Sequence, residues 1–238
     1  MSRPDFRGPI LLTGAGREGQ VGESVARELA ERGATLLLVD RSADHARDRA
    51  AALTQAGFRA SSFACDLADA GAVGDLAVRV RNEHGDRLAA FVHVAGGFAL
   101  SGSLDESDVD AWQRMMSINL TTAYLVTRAF LPMLRAGKGA IVYFASESAL
   151  PGAKVASIAA YAAAKSGVVA LMHAVAQGER DNGVRANALA PTSIRTAANI
   201  QSMGENVRYV ERAEVAAAVA YLCSDDASAV TGQVIALS

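Results

Sequence analysis

Cysteine is scarce: of 238 residues only Cys65 and Cys223 carry thiols. They stand in unrelated contexts, with neither a C-x-x-C partner nor metal-ligand spacing. That excludes a disulfide framework or a metal centre and leaves two reduced core thiols. Charge of one sign is equally lacking. The formal net charge is −2, with acids and bases interleaved, so electrostatics give no basis for binding nucleic acid or an anionic membrane. No uninterrupted apolar run reaches the ~18 residues of a membrane-spanning helix. The N-terminus lacks a basic segment followed by an apolar run and a cleavage site, and within 13 residues it reads as a core strand. These absences predict a soluble, cytoplasmic protein. Repeats, low-complexity tracts and linkers are missing too, which predicts one domain over residues 1–238.

What is present is apolar and periodic. Hydrophobic residues make up 51% of the chain, which excludes a disordered polymer. "PILLT" (9–13) is a short apolar strand ending in glycines. Val21, Val25 and Leu29 then recur at helical spacing up to a stop at Gly33. "ATLLLVD" (34–40), "RASSFAC", "LAAFVHV" (88–94), "GAIVYFA" (139–145), "VRANALA" (184–190) and "GQVIALS" read as further strands. Amphipathic helical stretches separate them, including one long helical region from the fourth strand to about Gly137. Alternating strands and helices predict a parallel sheet covered on both faces and joined by right-handed crossovers. Ligands then bind beyond the carboxyl ends of the strands.

The first such end carries "TGAGREGQVG", residues 13 to 22. Gly14, Gly16 and Gly19 match G-x-G-x-x-G, and the loop follows a strand and opens a helix, as a dinucleotide site requires. Glycine allows positive φ and close approach of phosphate. Free N–H groups and the helix dipole favour its charge. Asp40 ends the second strand 18 residues after Gly22, near the ~20-residue spacing at which an acid takes the ribose hydroxyls of NAD. Asp40 repels a 2′-phosphate, which favours NAD(H) over NADP(H). Arg17 and Arg41 temper that preference, since either can pair with a phosphate.

"YAAAK" places Tyr161 and Lys165 at i and i+4, on one helix face. A phenol is a general acid and base whose free pKa of ~10 is too high for neutral pH. An ammonium beside it is expected to lower that value. Asn119 in "INL", Ser146 in "SES" after the fifth strand, "YAAAK" and "NALAPTSIRT" follow the glycines in chain order.

With these motifs the sequence resembles the short-chain dehydrogenase/reductase family, from about Pro9 to Leu237. The resemblance implies a Rossmann-type, doubly wound α/β fold: a parallel sheet of about seven strands in three layers, α/β/α. It implies an NAD(P)(H)-dependent oxidoreductase acting on a small-molecule alcohol or carbonyl compound. In the family, Tyr161 exchanges the proton and Lys165 binds the nicotinamide ribose and lowers the tyrosine pKa. A serine after the fifth strand binds the substrate oxygen, and Asn119 supports a proton relay. Asp66 with Leu67 meets the adenine. Ala95 and Gly96 follow the fourth strand beside the coenzyme, and Val21 and Gly22 open the helix under the pyrophosphate. Pro191, Ile194 and Thr196 meet the nicotinamide amide. Position after the strand selects Ser146 as the serine. Ser148, 13 residues before Tyr161, has the commoner spacing and otherwise reads as a hydroxyl bonded to its own backbone. Family members commonly pair through the helices around residues 104–136 and 159–178, which implies a homodimer or homotetramer.

Several features depart from the family pattern. The glycine loop carries two extra residues between Ala15 and Gln20, so Gly14 and Gly22 are the glycines expected to matter most. This loop and "FVHVAGGFA" (91–99) resemble enoyl-acyl-carrier-protein reductases, a branch that spaces its tyrosine and lysine by six residues rather than three. Enoyl-thioester reduction, or a nucleotide-binding scaffold without catalysis, are the rival readings. His93 replaces an asparagine and is expected to be buried and satisfied by backbone, with contact to a ligand as the alternative. Trp112, Met115 and Met116 are expected in helix packing. Thr192 replaces a glycine, and a short substrate lid is expected over 197–212.

Overall fold

The structure is a computed structural model describing residues 6 and 8–238. Its strands are β1 (Ile10–Thr13), β2 (Thr35–Asp40), β3 (Arg59–Ala64), β4 (Ala90–His93), β5 (Ala140–Phe144), β6 (Arg185–Pro191) and β7 (Val234–Leu237). All pair in parallel, in the order β3-β2-β1-β4-β5-β6-β7. The chain runs outward from β1 to β3 and returns to place β4 against β1, which creates a switch point at their carboxyl ends. Thr13 pairs with His93 there, so Gly14 and Val94 leave the sheet side by side.

The apolar runs lack alternation because both faces are buried. Ile10, Leu12, Leu36 and Leu38 point into one core, under α1 (Val21–Glu31), α2 (Ala43–Gln55) and α8 (Arg212–Cys223). Leu11, Leu37 and Val39 point into the other, under α3 (Ala70–His84), α5 (Thr122–Gly137) and α6 (Ala159–Gly178). Both predicted cysteines are buried and free. Although no continuous apolar run stood out in the sequence, α6 is long and apolar enough to cross a membrane by length and composition. It packs against β5 and β6, with Val168 and Met172 in the core.

Two features differ from the sequence expectation. The helical region after β4 starts late: residues 94–102 form no regular element, and α4 spans only Val109–Met116. Gly96, Gly97 and Gly102, the last at φ +68°, disfavour a helix. Asp108 starts α4 by accepting from the N–H groups of Asp110 and Ala111. A π-helical turn, Ser117–Thr121, separates α4 from α5. A short helix, α7 (Ala197–Met203), occupies the expected lid segment, capped by Thr196. Trp112 is 39% exposed rather than packed, whereas Met115 is buried.

Candidate active site

The glycine loop folds around the switch point. Gly14 has φ +72° and donates its N–H to Val39 O at 2.9 Å. A methyl there would lie 2.7 Å from the Ala95 nitrogen, and one on Gly22 would strike the Gly14 carbonyl. Those two glycines are therefore where backbone meets backbone. Gly16 is confined by Asp40 and His45: its N–H donates to Asp40 Oδ2 at 3.1 Å, and a methyl would sit 2.6 Å from His45 Cβ. Gly19 has space around it and is required for its φ of +71°. Its N–H donates to Glu23 Oε2 at 2.7 Å, and Arg49 holds the other oxygen of that carboxylate at 2.7 Å. Val21 is the first residue of α1, whose N-cap, Gln20, provides no side-chain cap. The first-turn N–H groups and the methyl-free cradle fit a pyrophosphate.

On the adenosine side, Asp40 Oδ1 accepts from Ser42 N at 3.0 Å, so both carboxylate oxygens are held by backbone. The Cys65 N–H donates to Asp40 O at 3.0 Å, which brings the turn with exposed Asp66 and buried Leu67 alongside. Arg17 and Arg41 are exposed. On the other rim, Pro191 ends β6 and the Thr192 N–H donates to Leu237 O at 2.9 Å, so threonine leaves the strand pairing intact. Ile194 bridges to Val210. The Thr196 hydroxyl accepts from Asn199 N at 3.1 Å. A methyl on Gly19 would lie 3.6 Å from Ala197 Cβ, so glycine loop and lid helix meet.

Asn119 sits in the π-helical turn, buried. Its Oδ1 accepts from Gly97 N at 3.2 Å, and its Nδ2 donates to Gly97 O at 3.0 Å and Met115 O at 3.1 Å. A methyl on Gly96 would lie 2.6 Å from Asn119 Oδ1 and 3.5 Å from Lys165 Nζ, so three predicted residues converge there. Lys165 Nζ donates to Phe144 O at 2.8 Å and lies 5.7 Å from the centre of the Tyr161 ring. Ser146 accepts from Ser148 N at 3.2 Å. Ser148 does not bond its own backbone as expected: its buried Oγ has no partner among the described residues.

Two electrostatic expectations are corrected. Lys165 does not bring the phenol below its ordinary value here. Burial raises the Tyr161 pKa, hydrogen bonding with Ser146 opposes that rise, and the Glu147 carboxylate adds to it. His93 is buried as expected, but side chains satisfy it. Nδ1 lies 3.0 Å from Thr13 Oγ1 and Nε2 lies 3.2 Å from Thr122 Oγ1. Thr122 donates to Ile118 O at 3.0 Å, so its oxygen accepts from Nε2–H and Thr13 donates to Nδ1. Burial, with the charge of Lys165, pushes the imidazole down to about 3 and keeps it neutral.

Burial lowers Lys165 to about 8 from 10.5. Between those values the unfolded chain binds more protons than the folded one, so this residue makes stability rise with pH through that window. Below it the buried ammonium costs about 3 kcal/mol. Lys165→Met should therefore raise the Tm of the coenzyme-free protein at pH 7 and flatten the rise between pH 8 and 10. Thermal scans across pH measure this; a lower Tm at pH 7 would show that the bond to Phe144 outweighs burial.

Phe98 went unnoticed in the sequence. Its ring meets Tyr161 edge to face, with centres 5.1 Å apart and an interplanar angle of 80°. The available signal was an aromatic residue two positions beyond a Gly-Gly pair at a strand end.

Over residues 14–238 the chain matches the family model described as enoyl-(acyl carrier protein) reductase. It is 37% identical over 241 residues to cis-4-hydroxycyclohexanecarboxylate dehydrogenase of Sinomonas cyclohexanicum, covering 95% of this chain and 93% of that protein. It is 34% identical over 235 residues to meso-2,3-butanediol dehydrogenase of Serratia marcescens, covering 94% and 90%. The crystal structure of a short chain dehydrogenase from Mycobacterium smegmatis matches with a TM-score of 0.84 at 30% identity, covering 98% of this chain and 92% of that one. The protein belongs to the short-chain dehydrogenase/reductase family. It is an oxidoreductase that uses a nicotinamide coenzyme and acts between hydroxyl and carbonyl groups of a small molecule.

Proposed function

We propose that Tyr161, Lys165, Ser146 and Asn119 carry this reaction, with NAD(H) as the preferred coenzyme. The observation that supports it most is the convergence of phenol, ammonium and serine hydroxyl at the carboxyl end of β5, beside Gly96 and Asn119. The coenzyme supplies or accepts the hydride. Ser146, which accepts from the Ser148 N–H and hydrogen-bonds the Tyr161 hydroxyl, binds the substrate oxygen between them. Tyr161 gives its proton to that oxygen in reduction and takes it in oxidation. Its raised pKa favours the donor role, in reduction, at neutral pH. Lys165 holds a ribose hydroxyl and continues the proton path towards Asn119. Ser148, whose Oγ is closed off from solvent, has no part in this scheme.

Gly14, Gly16, Arg17, Gly19, Val21 and Gly22 hold the pyrophosphate, Asp66 and Leu67 the adenine, and Ala95, Gly96, Pro191, Ile194 and Thr196 the nicotinamide side. Asp40, fixed by two backbone N–H groups, directs its charge against a 2′-phosphate. Fluorescence titration should give NADH at least about tenfold tighter binding than NADPH, narrowing in Asp40→Ala; equal affinities in the unaltered protein would refute the preference. Copies of the chain pair through α6 and the helices of the 104–136 region, where Val109, Trp112 and Tyr124 are exposed. The segment 197–212 acts as the lid, and the protein is cytoplasmic.

A further inference from the structure

Between β4 and α4 the chain passes the phenol of Tyr161, with exposure alternating at every second residue. Phe98 is 61% exposed and Leu100 70%, whereas Gly97, Ala99 and Ser101 are half-buried. A period of two places Phe98 and Leu100 on one side of the segment. The Phe98 ring touches Tyr161, so that side borders the reaction centre.

The segment is fastened at both ends to catalytic elements. At one end Gly97 exchanges two hydrogen bonds with the Asn119 amide, at 3.2 and 3.0 Å. At the other the Ser101 N–H donates to Ser157 O at 2.8 Å, and Ser101 Oγ accepts from Ala159 N at 3.0 Å. Ile158 gives α6 no side-chain cap, so Ser101 supplies it from 58 residues away. The wall is therefore held in place by the same turn and helix that carry Asn119 and Tyr161. With ring centres 5.1 Å apart, Phe98 lies within reach of the carbon body of a molecule whose oxygen binds at the Tyr161 hydroxyl. A phenyl face gains from covering apolar carbon and loses when it strips water from hydroxyl groups.

We propose that Phe98 determines the specificity of this site, and that its substrate is a secondary alcohol, or the matching ketone, with a compact apolar carbon body rather than a polyol. The inference rests on Tyr161 being the proton donor, as argued above. In reduction the carbonyl carbon receives the hydride and the oxygen receives the Tyr161 proton, whichever body is attached. Phe98 acts on the body alone.

The test compares reduction of cyclohexanone and of dihydroxyacetone by the full-length protein with NADH and with NADPH. The unaltered protein should favour cyclohexanone by about 100-fold or more in kcat/KM. Phe98→Ala should cut that ratio at least about tenfold, mainly through the KM for cyclohexanone, and Phe98→Leu should restore most of it. A preference for dihydroxyacetone, or a ratio untouched in Phe98→Ala, overturns the inference and leaves the role of Tyr161 standing. Phe98→Leu behaving like Phe98→Ala also overturns it, because an apolar wall is then not what matters. Turnover that survives in Tyr161→Phe overturns the underlying reading instead, and this inference with it.

Discussion

Tyr161→Phe should lower kcat about 10³-fold, within the 10²–10⁴ that a positioned acid or base contributes, while NADH affinity should stay within about twofold. The substitution removes one oxygen and leaves the ring, so the edge contact with Phe98 and the helix around it persist. Loss of the hydroxyl also removes its hydrogen bond with Ser146, so stability should fall slightly, by about 1 kcal/mol. Stopped-flow turnover and NADH titration on the same preparation separate the two effects. Turnover within tenfold of the unaltered protein would remove Tyr161 from the chemistry and pass the role to another group.

Gly14→Ala should be strongly damaging to the glycine loop. An alanine at φ +72° costs about 1 kcal/mol. Its methyl would lie 2.7 Å from the nitrogen and 2.8 Å from the Cα of Ala95, main-chain atoms that cannot rotate away. Overpacking of this kind costs about 1–3 kcal/mol more. The sum of about 2–4 kcal/mol corresponds to a fall in Tm of roughly 5–15 °C, with at least about tenfold weaker NADH binding as loop and strand move apart. Gly19→Ala is the control. It carries the same backbone penalty but meets nothing closer than 3.6 Å, so its Tm should fall by only a few degrees. Equal damage from both would mean that the tight packing of Gly14 on Ala95 has no consequence.

That contrast marks how far the sequence could be read. The pattern G-x-G-x-x-G names Gly14, Gly16 and Gly19, but the packing sets Gly22 in Gly19's place as the glycine that lets α1 approach β1. The two extra loop residues, visible in the sequence, already suggested as much. The parallel sheet was legible because strands buried on both faces need unbroken apolar runs. The region after β4 was misread as helix because its apolar residues continue while three glycines interrupt, and periodicity does not register that interruption. His93 was recognised as buried, yet its partners, Thr13 and Thr122, lie 80 and 29 residues away and could not be found by spacing.

The sequence by itself determined the fold class and singled out the loop and residues proposed for the coenzyme and the reaction centre, because each rests on local spacing: strand, turn and helix, or i and i+4 on one face. Only the tertiary structure decided the state of those groups. Whether Lys165 lowers Tyr161, which serine hydroxyl is engaged, and which aromatic ring borders the phenol all depend on burial and on contacts between distant segments. Desolvation is a property of the assembled site, and no stretch of chain carries it alone.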